Sequence, residues 1–452
     1  MVTSVSTDSR SAGAGDLFVA LRGERFDGHG FLPQAAAAGC SAAIVARDAD
    51  LPADVETGFA EGVIGVDDTT RALGELGAYH RLQLAAAVVA VTGSNGKTTV
   101  KRLIHHILSR ERRGTCSPKS FNNAVGVPLT LLGASPGDDY VVCELGTNAP
   151  GEIAALGEMA RANVAVITSV GPAHLEKLGS IDRVAAEKAS ILGAMADDAM
   201  AVVWSDSDEL ARAVRPYGRR IVRFGASADA DLRLTDRRAM GRGQQFELNG
   251  RLWVDLPLPG RHNALNALAA IAVAQRFGFD QAEAAEALAD FVAPDMRLQW
   301  LDVAGGTIIN DAYNANPASL AAAVEVLAGC PGPRRVLLAG DMKELGDQAE
   351  ALHRQAGSAL GAGGVDLLIT VGVLGRYIAM GAAEAGLDTA SFGSSAEAAG
   401  ALRGLLHPGD VVLIKGSRTM AMEQLIESIR AALASEPPAN ARTPHQDQRR
   451  RT

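Results

Sequence analysis

The 452-residue chain has no CxxC pair, no apolar run long enough to cross a bilayer and no surplus of positive charge. Its four cysteines, Cys40, Cys116, Cys143 and Cys330, are scattered along the sequence. That spacing excludes a disulfide framework and a zinc site of paired thiolates, and leaves reduced core thiols as the expectation. The chain lacks the ~20 consecutive apolar residues that a spanning helix needs, and it opens with no charged leader followed by an apolar segment. The expected location is therefore the cytoplasm, with no membrane insertion. Lysine and arginine number 43 against 52 acidic residues, a net charge of −9. Nucleic acid is thus not an expected partner, and any anionic ligand must be met by locally placed cations. The length exceeds what one hydrophobic core fills and implies roughly two to four domains.

Residues 1–82 hold short elements between Gly and Asp turns, such as "GDLFVALRG" and "DGHGFLPQAAAAGCSAAIVA", and end in a helical pattern. They read as a small α/β unit. Within 83–297, the runs "AAAVVAVTG", "DYVVCELGT", "NVAVITSV" and "AMAVVWS" alternate with helical patterns. Continuous apolar strands of this kind belong to a parallel sheet covered on both faces. The alternating segments "RIVRFGA", "QFELNG" and "LWVDLPLPG" predict a small antiparallel sheet, and the pair of helices "RHNALNALAAIAVAQRFG" and "QAEAAEALADFV" follows. In 298–435 the strands "GTIINDAYN", "RRVLLAGDM", "VDLLITVG" and "DVVLIKGS" are each followed by an Ala-rich helix, a second Rossmann-like domain with "GTIINDAYN" as its first strand. Residues 436–452 are polar, Pro-containing and basic, and are expected to be disordered. The fold class is α/β with three domains.

The chemistry begins at "VVAVTGSNGKTTVK", residues 88–101, where an apolar strand, a glycine turn and an amphipathic helix follow one another. Backbone N–H groups in such a turn can curl around a polyphosphate at the helix N-terminus. The usual phosphate loop has a glycine where this chain has Val91. Val91 lies inside the strand, so the loop is a shortened one made of Gly93, Ser94, Asn95, Gly96, Lys97, Thr98 and Thr99. Lys97 would bridge the outer phosphates and Thr98 would offer its hydroxyl to Mg²⁺. Glu144, at the C-terminal end of a buried strand, stands on the edge where α/β sheets collect ligands and suits a second Mg²⁺. His174 follows the next strand near the same edge and reads either as a metal ligand or as a structural histidine. Lys188 falls on a helix whose apolar face is marked by Ile181, Val184, Ala185 and Ile191, and spacing alone leaves it a solvated surface charge. Arg297, Asp311, Asn314 and Asn316 could contact a nucleotide held between two domains.

These stretches carry a family likeness. "TGSNGKTTVK", "FNNAVGVPLTLL", "ELGTNAPGEI", "GPAHLEKLGS", "GRHNALNALAA", "NDAYNANP", "GDMKELGD" and "KGSRTMAME" occur in the order seen in the Mur ligases, which the chain resembles over nearly its whole length. "STDSR" and "GDLFVALRGERFDGHGF" resemble the UDP-sugar-binding domain of that family. The resemblance implies the member that extends a peptidoglycan precursor. ATP phosphorylates the terminal carboxylate of UDP-N-acetylmuramoyl-tripeptide, and the amine of D-alanyl-D-alanine then attacks the acyl phosphate. It further implies that Thr98, Glu144 and His174 hold Mg²⁺, that Asn263, Arg297 and Asp311 hold ATP, and that Lys188 is carbamylated and helps place the second metal. Asn122 and Asn123 would meet the muramoyl peptide, and Asp8, Ser9 and Arg10 the UDP moiety. Asn314 and Asn316 stand where the diaminopimelate-adding relative has an arginine-containing motif, which favours the dipeptide as incoming amine. The third peptide residue, diaminopimelate or lysine, is left open.

Relatives begin further upstream of "STDSR", so a first element of the substrate domain is expected to be missing. A monomer is expected, since no coiled coil is evident. Three alternatives remain at this stage: another, amino-acid-adding Mur ligase; a folylpolyglutamate-type synthase; and a nucleotide-dependent switch. The synthase shares the fold but has no counterpart of the N-terminal region, and the switch would have no use for Glu144, His174 and Lys188.

Overall fold

The computed structural model describes residues 2–23, 26–51 and 55–434. The tail expected to be disordered, 436–452, lies outside the described residues. Among the described residues three sheets organise the fold. The first has four parallel strands in sequence order, Ser4–Ser6, Asp16–Val19, Ala42–Ala46 and Val63–Val66. The helix Thr69–Gln83 that follows is started by the Asp68 side chain, which accepts from the N–H groups of Thr70 and Arg71. This helix leans on the middle unit, and Gly77 allows the approach, because a Cβ there would lie 2.6 Å from that of Pro128. Arg81 then fixes the contact by donating to the Ala160 carbonyl at 3.0 Å and to Asn163 Oδ1 at 2.9 Å.

The second sheet has nine strands. From one edge they run Leu252–Leu256, Gly243–Leu248, Leu232–Met240, Arg220–Gly225, Met200–Trp204, Val164–Ile167, Ala87–Thr92, Tyr140–Glu144 and Gly114–Cys116. Strand alternation sends Val89 and Val91 to one face, where helices Lys97–Leu108 and Arg261–Arg276 cover them, and Val88 and Ala90 to the other, under helices Gly126–Leu132 and Glu152–Ala160. The antiparallel segment is not a separate sheet as the alternation suggested. Leu232–Met240 begins parallel to Arg220–Gly225, with Phe224 opposite Leu232, and only then forms antiparallel pairs with Gly243–Leu248. The reason lies in that one strand: its start, Leu232 and Leu234, is buried in the central core, while its polar second half projects as a ribbon.

The third sheet has six strands, ordered Gln299–Val303, Gly306–Asp311, Val411–Lys415, Arg335–Gly340, Leu367–Val371 and Thr389–Phe392. Gly306–Asp311 is therefore the second strand rather than the first, preceded by an antiparallel edge strand. Gln299–Val303 has no fully buried residue and so lacks the continuous apolar run that marks a central strand. Among the described residues no helix is long and apolar enough to cross a membrane. The C-terminal ends of the parallel strands in the second and third sheets open on one cavity of about 960 Å³, the position where sheets of this class bind ligands.

Candidate active site

Strand Ala87–Thr92 ends at Gly93 and helix Lys97–Leu108 starts after Gly96. Both glycines are required. Gly93 has φ +146° and a Cβ there would lie 2.0 Å from Thr168 Oγ1; Gly96 has φ +85° and its Cβ would lie 2.4 Å from Asn266 Oδ1. The loop is anchored to the neighbouring strand end, with Ser94 N–H donating to the Ser169 carbonyl and Asn95 N–H to Ser169 Oγ, each at 2.9 Å. Lys97 folds back over the turn and donates to the Gly93 carbonyl at 2.7 Å. Burial lowers its pKa from the ordinary lysine value, with Glu144 opposing. Thr98 Oγ1 donates to Glu144 Oε2 at 3.0 Å and accepts from Arg297 Nη2 at 3.1 Å. Arg297 is itself stacked 4.1 Å above the Tyr313 ring.

Glu144 closes strand Tyr140–Glu144 and is 1% exposed. Its Oε1 accepts from Asn122 Nδ2 at 3.0 Å, and Lys101 Nζ lies 3.1 Å from Oε2. Burial pushes its pKa up, but Lys101, Lys97 and Arg297 outweigh that and hold the carboxyl below its usual value. The site thus presents an ionised carboxylate beside a hydroxyl. Two oxygens about 3 Å apart span the edge of a Mg²⁺ octahedron with bonds of about 2.0–2.1 Å, so the 3.0 Å separation of Thr98 Oγ1 and Glu144 Oε2 fits that ion. Among the described residues no three His, Cys, Asp or Glu side chains converge as a metal cluster; further ligands must come from other groups.

His174, in the left-handed region at φ +57°, lines the cavity. Its Nδ1 lies 2.5 Å from Glu344 Oε2, so this nitrogen joins the middle unit to the last, and the pairing lowers the Glu344 pKa. Lys188 stands on helix Ile181–Ala189, which Ser180 caps by accepting from Arg183 N–H. Its surroundings contradict a solvated charge: Lys188 is 0% exposed, and among the described residues Nζ has no hydrogen-bond partner. Burial, and after it the charge of Lys97, pushes its pKa well below the ordinary lysine value. The apolar face expected for this helix is corrected at one end, since Ile181 is exposed while Val184 and Ala185 are buried beside Lys188. A first-turn residue here looks past the core.

The last unit closes the cavity. Asn316 starts helix Pro317–Ala328 by accepting from Ser319 N–H, and forms a reciprocal amide pair with Asn95, at 2.8 Å and 3.3 Å. Asp311 pairs with Lys415 at 2.5 Å and accepts from Leu298 N–H, while the Asn314 carbonyl accepts from Lys415 at 3.0 Å. Asn263 donates to the Pro259 carbonyl at 2.8 Å and accepts from Asn266 at 3.1 Å. Asn122 and Asn123 both line the cavity, although Asn123 spends its oxygen on the N–H groups of Val125 and Gly126. Asp8, Ser9 and Arg10 are not brought to it. They stand in the first unit, where Arg10 pairs with Asp8 at 2.6 Å and Ser9 donates to Gln34.

Sequence reasoning overlooked several residues of the site. Lys101 and Asn266 could have been found by helical spacing, one turn after Lys97 and Asn263. Glu187 could not. It accepts from Gly151 and Ile153 N–H, both at 2.8 Å, and so fixes the turn that follows Glu144.

Family models match almost end to end: "Mur ligase family, catalytic domain" over 1–81, "Mur ligase middle domain" over 91–274 and "Mur ligase, glutamate ligase domain" over 296–418. A UDP-N-acetylmuramoyl-tripeptide--D-alanyl-D-alanine ligase of Escherichia coli K12 is 39% identical over 437 residues, 94% of this chain and 93% of the relative. MurF from Acinetobacter baumannii superposes with TM-score 0.85 at 34% identity, covering 94% and 93% of the two chains. MurF from Thermotoga maritima, solved with ADP, superposes with TM-score 0.82 at 28% identity over 96% and 98%. With family models over most of the chain and a relative 39% identical across 94% of it, the chain belongs to the Mur ligase family.

Proposed function

We propose that this chain is an ATP-dependent ligase that joins D-alanyl-D-alanine to UDP-N-acetylmuramoyl-tripeptide, a step of peptidoglycan precursor synthesis carried out in the cytoplasm by a monomer. A carboxylate oxygen of the tripeptide attacks the γ-phosphorus of ATP, the bond to ADP breaks, and an acyl phosphate forms. The dipeptide's amine, having given up its extra proton, attacks the acyl carbon, and inorganic phosphate leaves as the amide closes. Both steps bring anions together, so the site's work is positioning and charge neutralisation. The loop N–H groups, Lys97 and Arg297 receive the phosphates, while Asn263 and Asp311 hold the rest of the nucleotide. Thr98 and Glu144 would be oxygen donors for Mg²⁺, which would supply further neutralisation of the phosphates, and His174 would be a candidate through its remaining ring nitrogen. Asn122 and Asn123 face the muramoyl peptide, Asp8, Ser9 and Arg10 the UDP end, and Asn314 and Asn316 the incoming dipeptide.

The observation that carries this reading is Lys188, which is buried, has no hydrogen-bond partner among the described residues and, though not itself lining the cavity, lies within the field of Lys97 of the phosphate loop. An uncharged amine is the form that adds CO₂, losing a proton to become a carbamate, an anionic oxygen donor that a ligase site uses and a nucleotide switch does not. The full set of Mg²⁺, ATP, UDP-N-acetylmuramoyl-tripeptide and D-alanyl-D-alanine should release phosphate, with a product whose mass is that of the tripeptide and dipeptide substrates together less one water. Phosphate release with folate and glutamate in their place would refute the assignment.

A further inference from the structure

Lys101 follows Lys97 by one turn but does not line the cavity. It is 0% exposed, on a helix whose neighbouring buried residues Val100, Leu103, Ile104 and Ile107 are apolar. An ammonium survives such a place only when its hydrogens are all met. Here three oxygens meet them: the Ser117 carbonyl at 3.0 Å, the Lys119 carbonyl, and Glu144 Oε2 at 3.1 Å. The two carbonyls belong to the turn that leads into Asn122, with Lys119 held at φ +44°. The third oxygen is on the carboxylate that Thr98 touches from the phosphate side. Asn122 closes the circuit by donating to Glu144 Oε1 at 3.0 Å.

We infer that Lys101 is a positioning residue that ties the peptide-side turn Ser117–Asn123 to the phosphate-side carboxylate Glu144, so that ordering the turn and engaging Glu144 are coupled. The inference rests on the ligase reading above. Because all its hydrogens are used internally, Lys101 acts through Glu144 and Asn122 rather than on a substrate. Lys101→Met keeps the length of the stem and removes the cation. The half-saturating concentrations of both UDP-N-acetylmuramoyl-tripeptide and Mg²⁺ should rise about tenfold, while that of D-alanyl-D-alanine stays as in the parent. A lower kcat with all three half-saturations unchanged would mean a merely structural lysine and would overturn the inference.

Lys101→Met leaves Glu144 as a buried unpaired charge and can fail to fold for that reason alone. A second comparison removes that ambiguity. The double variant Lys101→Met/Glu144→Gln removes both charges of the pair, so no unpaired ion is left buried, and it keeps an oxygen for Asn122; its tripeptide binding is compared with the parent's by calorimetry without nucleotide or Mg²⁺. It should bind about tenfold more weakly than the parent. An affinity equal to the parent's would overturn the inference. Failure of the ligase reading looks different, since the parent protein would then neither bind the tripeptide nor release phosphate.

Discussion

Replacing Lys188 by methionine should raise stability while destroying activity. The Lys188 amine is fully buried and unpartnered, and leaving such a group unmade costs about 1–3 kcal/mol even when neutral. Methionine has nearly the same length and volume, so no cavity opens to offset the gain. A gain of about 2 kcal/mol corresponds to roughly 4–8 °C in the melting temperature of a unit this size. The pH dependence follows from the lowered pKa of Lys188. Between that value and the ordinary lysine value of about 10.4, the unfolded chain holds a proton that the folded chain does not, so parent stability rises with pH. Methionine binds no proton, so its advantage should be greater at pH 6 than at pH 9. Calorimetric melting at the two pH values, in buffer freed of CO₂, reads this directly; assayed separately with bicarbonate present, the variant should show phosphate release lowered about 100- to 1000-fold relative to the parent. A variant that melts below the parent, or whose advantage grows with pH, would show that Lys188 is paired and charged in the folded protein and would remove the basis for a carbamate.

Lys188→Ala leaves room for a small anion and should regain part of its activity with added short carboxylic acids; full activity without them would end the carbamate reading. Lys97→Ala should cut phosphate release at least about 100-fold, and a parental rate would sink the phosphate-loop assignment. Asn95→Ala and Asn316→Ala each break the reciprocal amide pair between the phosphate loop and helix Pro317–Ala328. Each should raise the KM for ATP, and Asn316→Ala should also lower stability by about 1 kcal/mol through the lost cap. The double variant should cost less than the sum of the singles, and strict additivity would show that the pair does not couple the two units. Small-angle scattering should show compaction when all substrates are present, because on the proposed reading the middle and last units share the nucleotide; an unchanged profile would count against closure.

The parts of this molecule legible in its sequence are those whose signal is local. Strand Ala87–Thr92 and helix Lys97–Leu108 announce themselves by period and by the glycines between them, and Glu144 falls at a strand end as its apolar run suggested. The misreadings arise where one element serves two neighbours. Leu232–Met240 is half core strand and half ribbon, and its polar half dominated the pattern. Gln299–Val303 is an edge strand with one partner and needs no apolar run. Within the site, Glu187 meets Gly151 and Ile153 across more than 30 residues of chain, 36 and 34 respectively, a separation at which no spacing rule operates.

Three lysines show why residue type and helical position could not divide the labour here. Lys97, Lys101 and Lys188 all lie on amphipathic helices beside apolar residues, and propensity treats them alike. What distinguishes them is the number of oxygens within reach. Lys97 has one, the Gly93 carbonyl four residues back, and keeps hydrogens for a phosphate. Lys101 has three, drawn from a turn 16 residues on and from the end of another strand, and is spent on holding them together. Lys188 has none, which makes it the one of the three whose amine can be a nucleophile rather than a charge. On the proposed reading, binding, positioning and modification fall to one residue type through the rationing of acceptors, so exchanging these environments, and not the residues, is what would exchange the roles.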